Sequence, residues 1–193
     1  MDIRDTIFRA RGFTPIPFII VALIWAQPNL FLLVMGLTMG LVGEAIRFHA
    51  ILHAGSETRT RKVGASKLIT TGSYAKTRNP LYYGNLLMYV GYALGSGALL
   101  PWFPIVAFIW VIYQYYMIIM LEEETLRKIF GKEYAAYCRK VPRLFPHLFA
   151  SSGNPVKNYS YKEALHSEKS SMLALAVTWA ALVAGLYYLP LVG

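Results

Sequence analysis

From Phe13 to Gly43 the chain runs for 31 residues without a charged side chain. Three more uncharged apolar stretches follow, Leu81 to Leu100, Trp102 to Leu121 and Ser171 to Leu189. A bilayer core takes about 20 apolar residues per helix. In lipid the backbone must satisfy its own polar groups, which a helix does and an open strand does not. The first stretch is too long for one ordinary span, and Gln27-Pro28-Asn29 interrupts it. Proline favours the first turn of a new helix, so a hairpin of two helices is expected, Phe13 to Ala26 and Pro28 to His49. The expected fold is all-α: a polytopic membrane protein of about five transmembrane helices with a small cytoplasmic helical cap. Composition agrees, with 56% hydrophobic and 15% charged residues, against roughly 25% charged in soluble domains.

Charge placement supports the count. Of the 19 Lys and Arg, 3 precede the first span, 7 lie between Arg47 and Arg78, and 9 between Arg127 and Lys169. With five spans all fall on one side, the cytoplasmic side under the positive-inside rule. The net charge of +9 is thus explained by orientation and attraction to anionic headgroups, and no nucleic-acid partner is expected. The first apolar stretch continues into a second span, unlike a removable signal peptide. A single cysteine, Cys138, excludes an intrachain disulfide.

Residues 1–12 read as a short interfacial helix, and 50–80 as a cytoplasmic connection broken at Gly55, Gly64 and Gly72. Residues 122–140 continue the fourth span, with Leu126, Ile129, Phe130, Tyr134, Tyr137 and Cys138 at three-and-four spacing on one buried face. Gly131 is a candidate kink, and Pro142 and Pro146 stop the helix. A loop is expected at 151–155, and Tyr161 to Lys169 lead into the last span, 171–189. The whole, 1–193, is one membrane domain. Gly84, Gly91, Gly95 and Gly97 permit close helix approach.

Two polar blocks abut these spans. In Arg78-Asn79-Pro80, Asn79 suits a helix cap and Pro80 the first helical residue. Arg78 then either sits at headgroup level or joins exposed backbone donors around an anionic group. In Glu122-Glu123-Glu124 three acids spread over about 200° of helix, so at least one is expected inward, while Lys128 is a solvated partner. Glu44 and Arg47 suit a structural ion pair. His49 and His53, four apart, lack a third ligand, so no metal is expected. Tyr89, Tyr92, Tyr113, Tyr115 and Tyr116 suit interfacial belts and packing.

Leu68-Ile69-Thr70-Thr71-Gly72-Ser73-Tyr74, Arg78-Asn79-Pro80-Leu81-Tyr82-Tyr83-Gly84, Glu122-Glu123-Glu124, Phe130-Gly131-Lys132-Glu133-Tyr134, Tyr137 and Val141-Pro142-Arg143 follow in an order that resembles the integral-membrane methyltransferases. These include isoprenylcysteine carboxyl methyltransferases and phospholipid N-methyltransferases. The resemblance covers about residues 66–146. It implies S-adenosylmethionine as cofactor, in a cytoplasm-facing pocket roofed by the cap. By position it implies cofactor contacts at Lys67, Leu68, Ile69, Tyr74, Asn79, Pro80, Leu81, Tyr82, Glu122 and Glu123, with Val141 to Pro146 closing over the adenine. Arg78 and Glu122 are the implied catalytic residues, Arg78 orienting the acceptor's phosphate or carboxylate. An ammonium acceptor needs a base; Glu44, Glu122, Tyr82 and His49 are candidates.

Two departures bear on the acceptor. Isoprenylcysteine enzymes usually read Arg-His-Pro where Arg78-Asn79-Pro80 stands, and carry an arginine just before the acidic run, where Ile118-Ile119-Met120-Leu121 has no cation. The resemblance so modified implies methylation of a membrane lipid headgroup, foremost a phosphatidylethanolamine-like amine. The alternative is carboxyl methylation of an isoprenylcysteine-type substrate. A sterol-reductase-like enzyme using NADPH, or a non-catalytic membrane scaffold, is more distant. The expected location is a membrane with the active site facing the cytoplasm, the inner membrane in a prokaryote or the endoplasmic reticulum in a eukaryote. The oligomeric state is not readable.

Overall fold

The computed structural model describes residues 2–55, 65–147 and 158–188, the last four by backbone alone. Within these the chain is helical and no strand occurs. The helices are α1 (Ile3–Ala10), α2 (Pro15–Ile24), α3 (Leu30–Ala54), α4 (Pro80–Gly95), α5 (Trp102–Lys140) and α6 (Tyr161–Tyr188), with a 3-10 turn at Gly72–Ala75. The expected break at Gly64, the loop at 151–155 and Leu189 lie outside the described residues.

Local sequence accounts for the boundaries. The Asp2 carboxylate accepts from the Arg4 amide at 2.9 Å and caps α1. Asn29 caps α3 by accepting from the Leu32 amide at 2.9 Å, so α3 starts at Leu30 and not at Pro28. Pro80 opens α4 as expected, and Asn79 holds the cap position, yet its side chain makes no cap bond. Its amide donates instead to the Arg143 carbonyl at 2.8 Å. The helical run through the acidic triplet bends at Gly131, with φ 48° and ψ −115°.

The all-helical membrane expectation holds, and fewer than five spans are met. Among the described residues two helices are long and apolar enough to cross a membrane, α3 and α5; α1 and α2 add a third if that pair, bent by 54°, counts as one span. The reasons are geometric. α2 has 10 residues and α4 has 16, or about 15 and 24 Å at the helical rise, short of a bilayer core of about 30 Å. The expected span Leu81 to Leu100 stops at Gly95 because the chain turns at Gly97, φ 64°. α6 reaches the expected last span, but Lys162, Glu163, Glu168 and Lys169 occupy its first turns.

α3 and α4 pack along a glycine seam. A Cβ on Gly91 would stand 2.6 Å from the Gly36 carbonyl oxygen, and one on Gly84 2.6 Å from that of Gly43. Two backbones can approach this closely only without side chains between them. Ala22, Leu33, Tyr92, Phe103, Ala107, Trp179 and Leu182 form one buried cluster where α2 to α6 meet. Phe8 of α1 packs with Leu86, Tyr115, Ile118 and Ile119 in a second.

The cap is laced to the segment before α4. The Arg78 amide donates to the Pro142 carbonyl at 2.9 Å, the His147 amide to that of Lys76 at 3.0 Å, and the Thr77 hydroxyl to that of Leu144 at 2.9 Å. Beneath it Tyr134, Tyr137 and Val141 are buried against Leu68, Leu126, Phe130 and Cys138. Ile129, expected on that face, is half exposed.

Candidate active site

A cavity of about 800 Å³ runs through the protein. Its lining includes Lys67, Leu68, Ile69, Tyr74, Arg78, Asn79, Pro80, Leu81, Tyr82, Glu122 and Glu123, whereas Val141 to Pro146, implied as closing over the adenine, are not among the residues that line it. The polar part lies under the cap, between the chain before α4 and the second half of α5, where Leu126, Tyr134 and Tyr137 complete the wall. The Tyr137 hydroxyl donates to the Tyr74 carbonyl at 2.6 Å, fixing both elements. Enclosure by protein holds the Tyr74 phenol well above its usual range, and the Glu122 charge adds to the effect. Tyr74 is therefore a neutral hydroxyl at any working pH.

The acidic triplet divides. Glu123 is buried and accepts from both Arg78, at 2.8 and 2.9 Å, and Arg143, at 3.0 Å. Glu124 faces out to Lys128 at 2.8 Å and Arg4 at 3.1 Å. Glu122 faces the cavity and accepts from the Tyr82 hydroxyl at 2.8 Å. Tyr82 in turn lies against Tyr115, ring centroids 4.8 Å apart.

Arg78 has a different setting from the one the resemblance implies. Its Nη1 donates to the Cys138 and Val141 carbonyls at 3.0 and 2.8 Å, and its Nε and Nη2 reach Glu123. Four of five guanidinium donors are thus engaged. The side chain ties the turn before α4 to α5 and the cap while it also lines the cavity.

Beyond Glu122 the cavity is lined mainly by apolar and aromatic side chains, Phe18, Ile19, Tyr89, Phe103, Ala107, Val111, Leu175 and Trp179, with Asn85, Gln114 and Thr178 among them. Sequence reasoning missed three contributors here. Arg11, Gly12 and Thr14, from the bend between α1 and α2, line the cavity. Arg11 lies over the Phe8 ring at 3.8 Å and interacts electrostatically with Glu122 and Tyr82. Arg47, beyond its expected contact with Glu44 at 3.4 Å, bonds Glu168 of α6 at 2.5 Å and Asn85 at 2.6 Å. The uncharged-run pattern marks these segments as membrane helices and gives no hint of which of their polar residues turn inward. His49 and His53 stack at 4.5 Å, and no metal-ligand cluster occurs among the described residues.

A helical membrane protein with a cavity that is polar under a cap and mainly apolar between its helices is the class that fold and site define. The sequence pattern of the family described as phospholipid methyltransferase matches residues 30–133, and the chain belongs to that family. It is similar to protein-S-isoprenylcysteine O-methyltransferase B of Arabidopsis thaliana, 34% identical over 116 residues, covering 58% of this chain and 57% of the relative. A probable protein-S-isoprenylcysteine O-methyltransferase of Oryza sativa subsp. indica is 35% identical over 125 residues, 61% and 63% of the two chains. For protein-S-isoprenylcysteine O-methyltransferase of Xenopus laevis the figures are 32% over 136 residues, 61% and 42%. The matches thus span 42% to 63% of these relatives' lengths.

Proposed function

We propose that the protein transfers a methyl group from S-adenosylmethionine to the carboxylate of an isoprenylcysteine-type acceptor held in the membrane. The observation that carries this is the two-part cavity whose polar and apolar halves meet at Tyr82 and Glu122. The polar half suits the cofactor, which presents a sulfonium, an ammonium, a ribose diol and a carboxylate. Glu122 offers an anion to its cationic groups, Tyr74 and Tyr82 offer aromatic faces to the sulfonium, and the chain at Lys67 to Ile69 lines the same wall. Once bound, the group would supply a methyl on a cationic sulfur, and a carboxylate acceptor would need no proton removed to take it, the S–CH3 bond breaking to leave a neutral thioether.

The chain's own residues then have positioning roles. Arg78 and Glu123 fix the cap over the cofactor end. Tyr82 holds the Glu122 carboxylate at the junction. Arg11 lies on the cavity wall and acts on that junction, so the cation absent from 118–121 has a substitute on another element, suited to an acceptor carboxylate. The named relatives favour this acceptor over a phospholipid amine. The amine reading keeps the support of the family description and of Asn79 in the place usual for histidine.

The test is incubation of the purified protein with methyl-labelled cofactor and either S-farnesyl-N-acetylcysteine or phosphatidylethanolamine. Base-labile label on the farnesyl compound is expected. Label confined to the phosphatidylethanolamine nitrogen would replace the acceptor, and no transfer to either would end the proposal.

A further inference from the structure

We infer that Trp179 of α6 is the stop that limits how long an acceptor chain the apolar half admits; this rests on the methyl-transfer reading above for its substrate. The shape of the cavity leads to it. On α5 the lining residues Phe103, Ala107, Val111, Tyr115 and Glu122 fall at four- and seven-residue intervals along one face. Along α4, ten residues separate Tyr82 at the junction from Tyr92, which packs on Trp179, a distance of roughly 15 Å at the helical rise. The apolar half is therefore a lane parallel to the helices, suited to one extended hydrocarbon chain whose polar end stays at Glu122.

The lane has a built end. Phe103, Ala107 and Trp179 line the cavity and also belong to the buried cluster where α2 to α6 converge. Trp179 is wedged rather than loosely packed. Its six-membered ring would meet a Cβ on Gly95 at 2.5 Å, and its Nε1 would meet one on Gly40 at 3.4 Å. Tyr92 packs on it edge to face at 5.8 Å between centroids. An indole set tightly against Gly95 and packed by Tyr92 does not swing aside for a longer chain, since close-packed interiors do not yield by small steps.

The experiment is a ladder of N-acetylcysteine thioethers bearing geranyl, farnesyl and geranylgeranyl chains, assayed on the full chain in lipid nanodiscs. The unmodified protein should show a cut-off in kcat/KM along the ladder. Trp179→Ala should move the cut-off one isoprene unit longer, raising the ratio of longer to shorter substrate about tenfold. Ala107→Leu, which adds bulk to the same lane, should move it shorter, and cofactor affinity should change in neither. An unaltered ladder in both variants, with cofactor binding intact, would overturn the inference while leaving the methyl-transfer proposal standing. A farnesyl thioether tipped with a diazirine gives a readout that needs no turnover. Photolabel on the α6 peptide around Trp179 supports the stop even if no chain is methylated, and label only elsewhere overturns it.

Discussion

Glu122, Glu123 and Glu124 are neighbours in sequence, yet one faces the cavity, one is buried between two arginines and one faces outward. Steps of about 100° along a helix separate them, and each direction brings a different environment. Glu122→Gln keeps the size and the Tyr82 contact but removes the charge. A hydrogen bond to a charged group is worth about 1.5–3 kcal/mol, so the dissociation constant for S-adenosylmethionine should rise at least about tenfold in equilibrium dialysis, with thermal stability unchanged. Glu123→Ala acts differently. It leaves Arg78, whose side chain is 9% exposed, without its counter-charge, and breaking a buried pair from one side costs about 3–5 kcal/mol. A large fall in Tm in detergent is expected, and Arg78→Lys should not match the native arginine, because an ammonium cannot reproduce the planar fork. If Glu123→Ala keeps its Tm and loses only turnover, Glu123 contacts the reactants instead.

At the scale of elements, Gly131 decides where the cap sits. A Cβ there would meet nothing within 4 Å, so a substitution tests conformation alone. Its φ of 48° with ψ of −115° is a region that side chains avoid, at about 1–3 kcal/mol. Gly131→Ala should lower stability by that amount, read as a fall in Tm, or straighten α5 and pull Tyr134 and Tyr137 from the cavity wall. Cofactor affinity falls in either case, and unaltered affinity and Tm together would show that the bend is not required. The α4 boundary gives the same lesson. Pro80 and Asn79 mark its start in sequence, but the Asn79 amide goes to the Arg143 carbonyl. Local preference fixes the position of a cap, and a tertiary partner takes the side chain.

At the scale of the molecule, one buried ion pair joins the middle of the chain to its last helix. Arg47 is 12% exposed and Glu168 1%, with Glu44 also in reach of Arg47 at 3.4 Å. Arg47→Met should deprive Glu44 and Glu168 of this shared cation, lowering stability by up to about 3–5 kcal/mol and loosening α6, seen as a lower Tm and faster proteolysis near residue 160. Preserved stability would mean that α6 is held without this pair. The sequence by itself determined the helical membrane class, the positions of the two polar blocks, the helix start at Pro80, the candidate kink at Gly131 and the stop before Pro142. These follow from hydropathy, charge and backbone chemistry, which act locally. Only the tertiary structure decided that Glu122 faces a cavity, that Arg78 is a tie, that Arg11 and Trp179 share the cavity's wall, and that α2 and α4 are too short to be ordinary spans. Each depends on which faces of distant helices meet, and lipid-facing and cavity-facing residues are equally apolar in sequence.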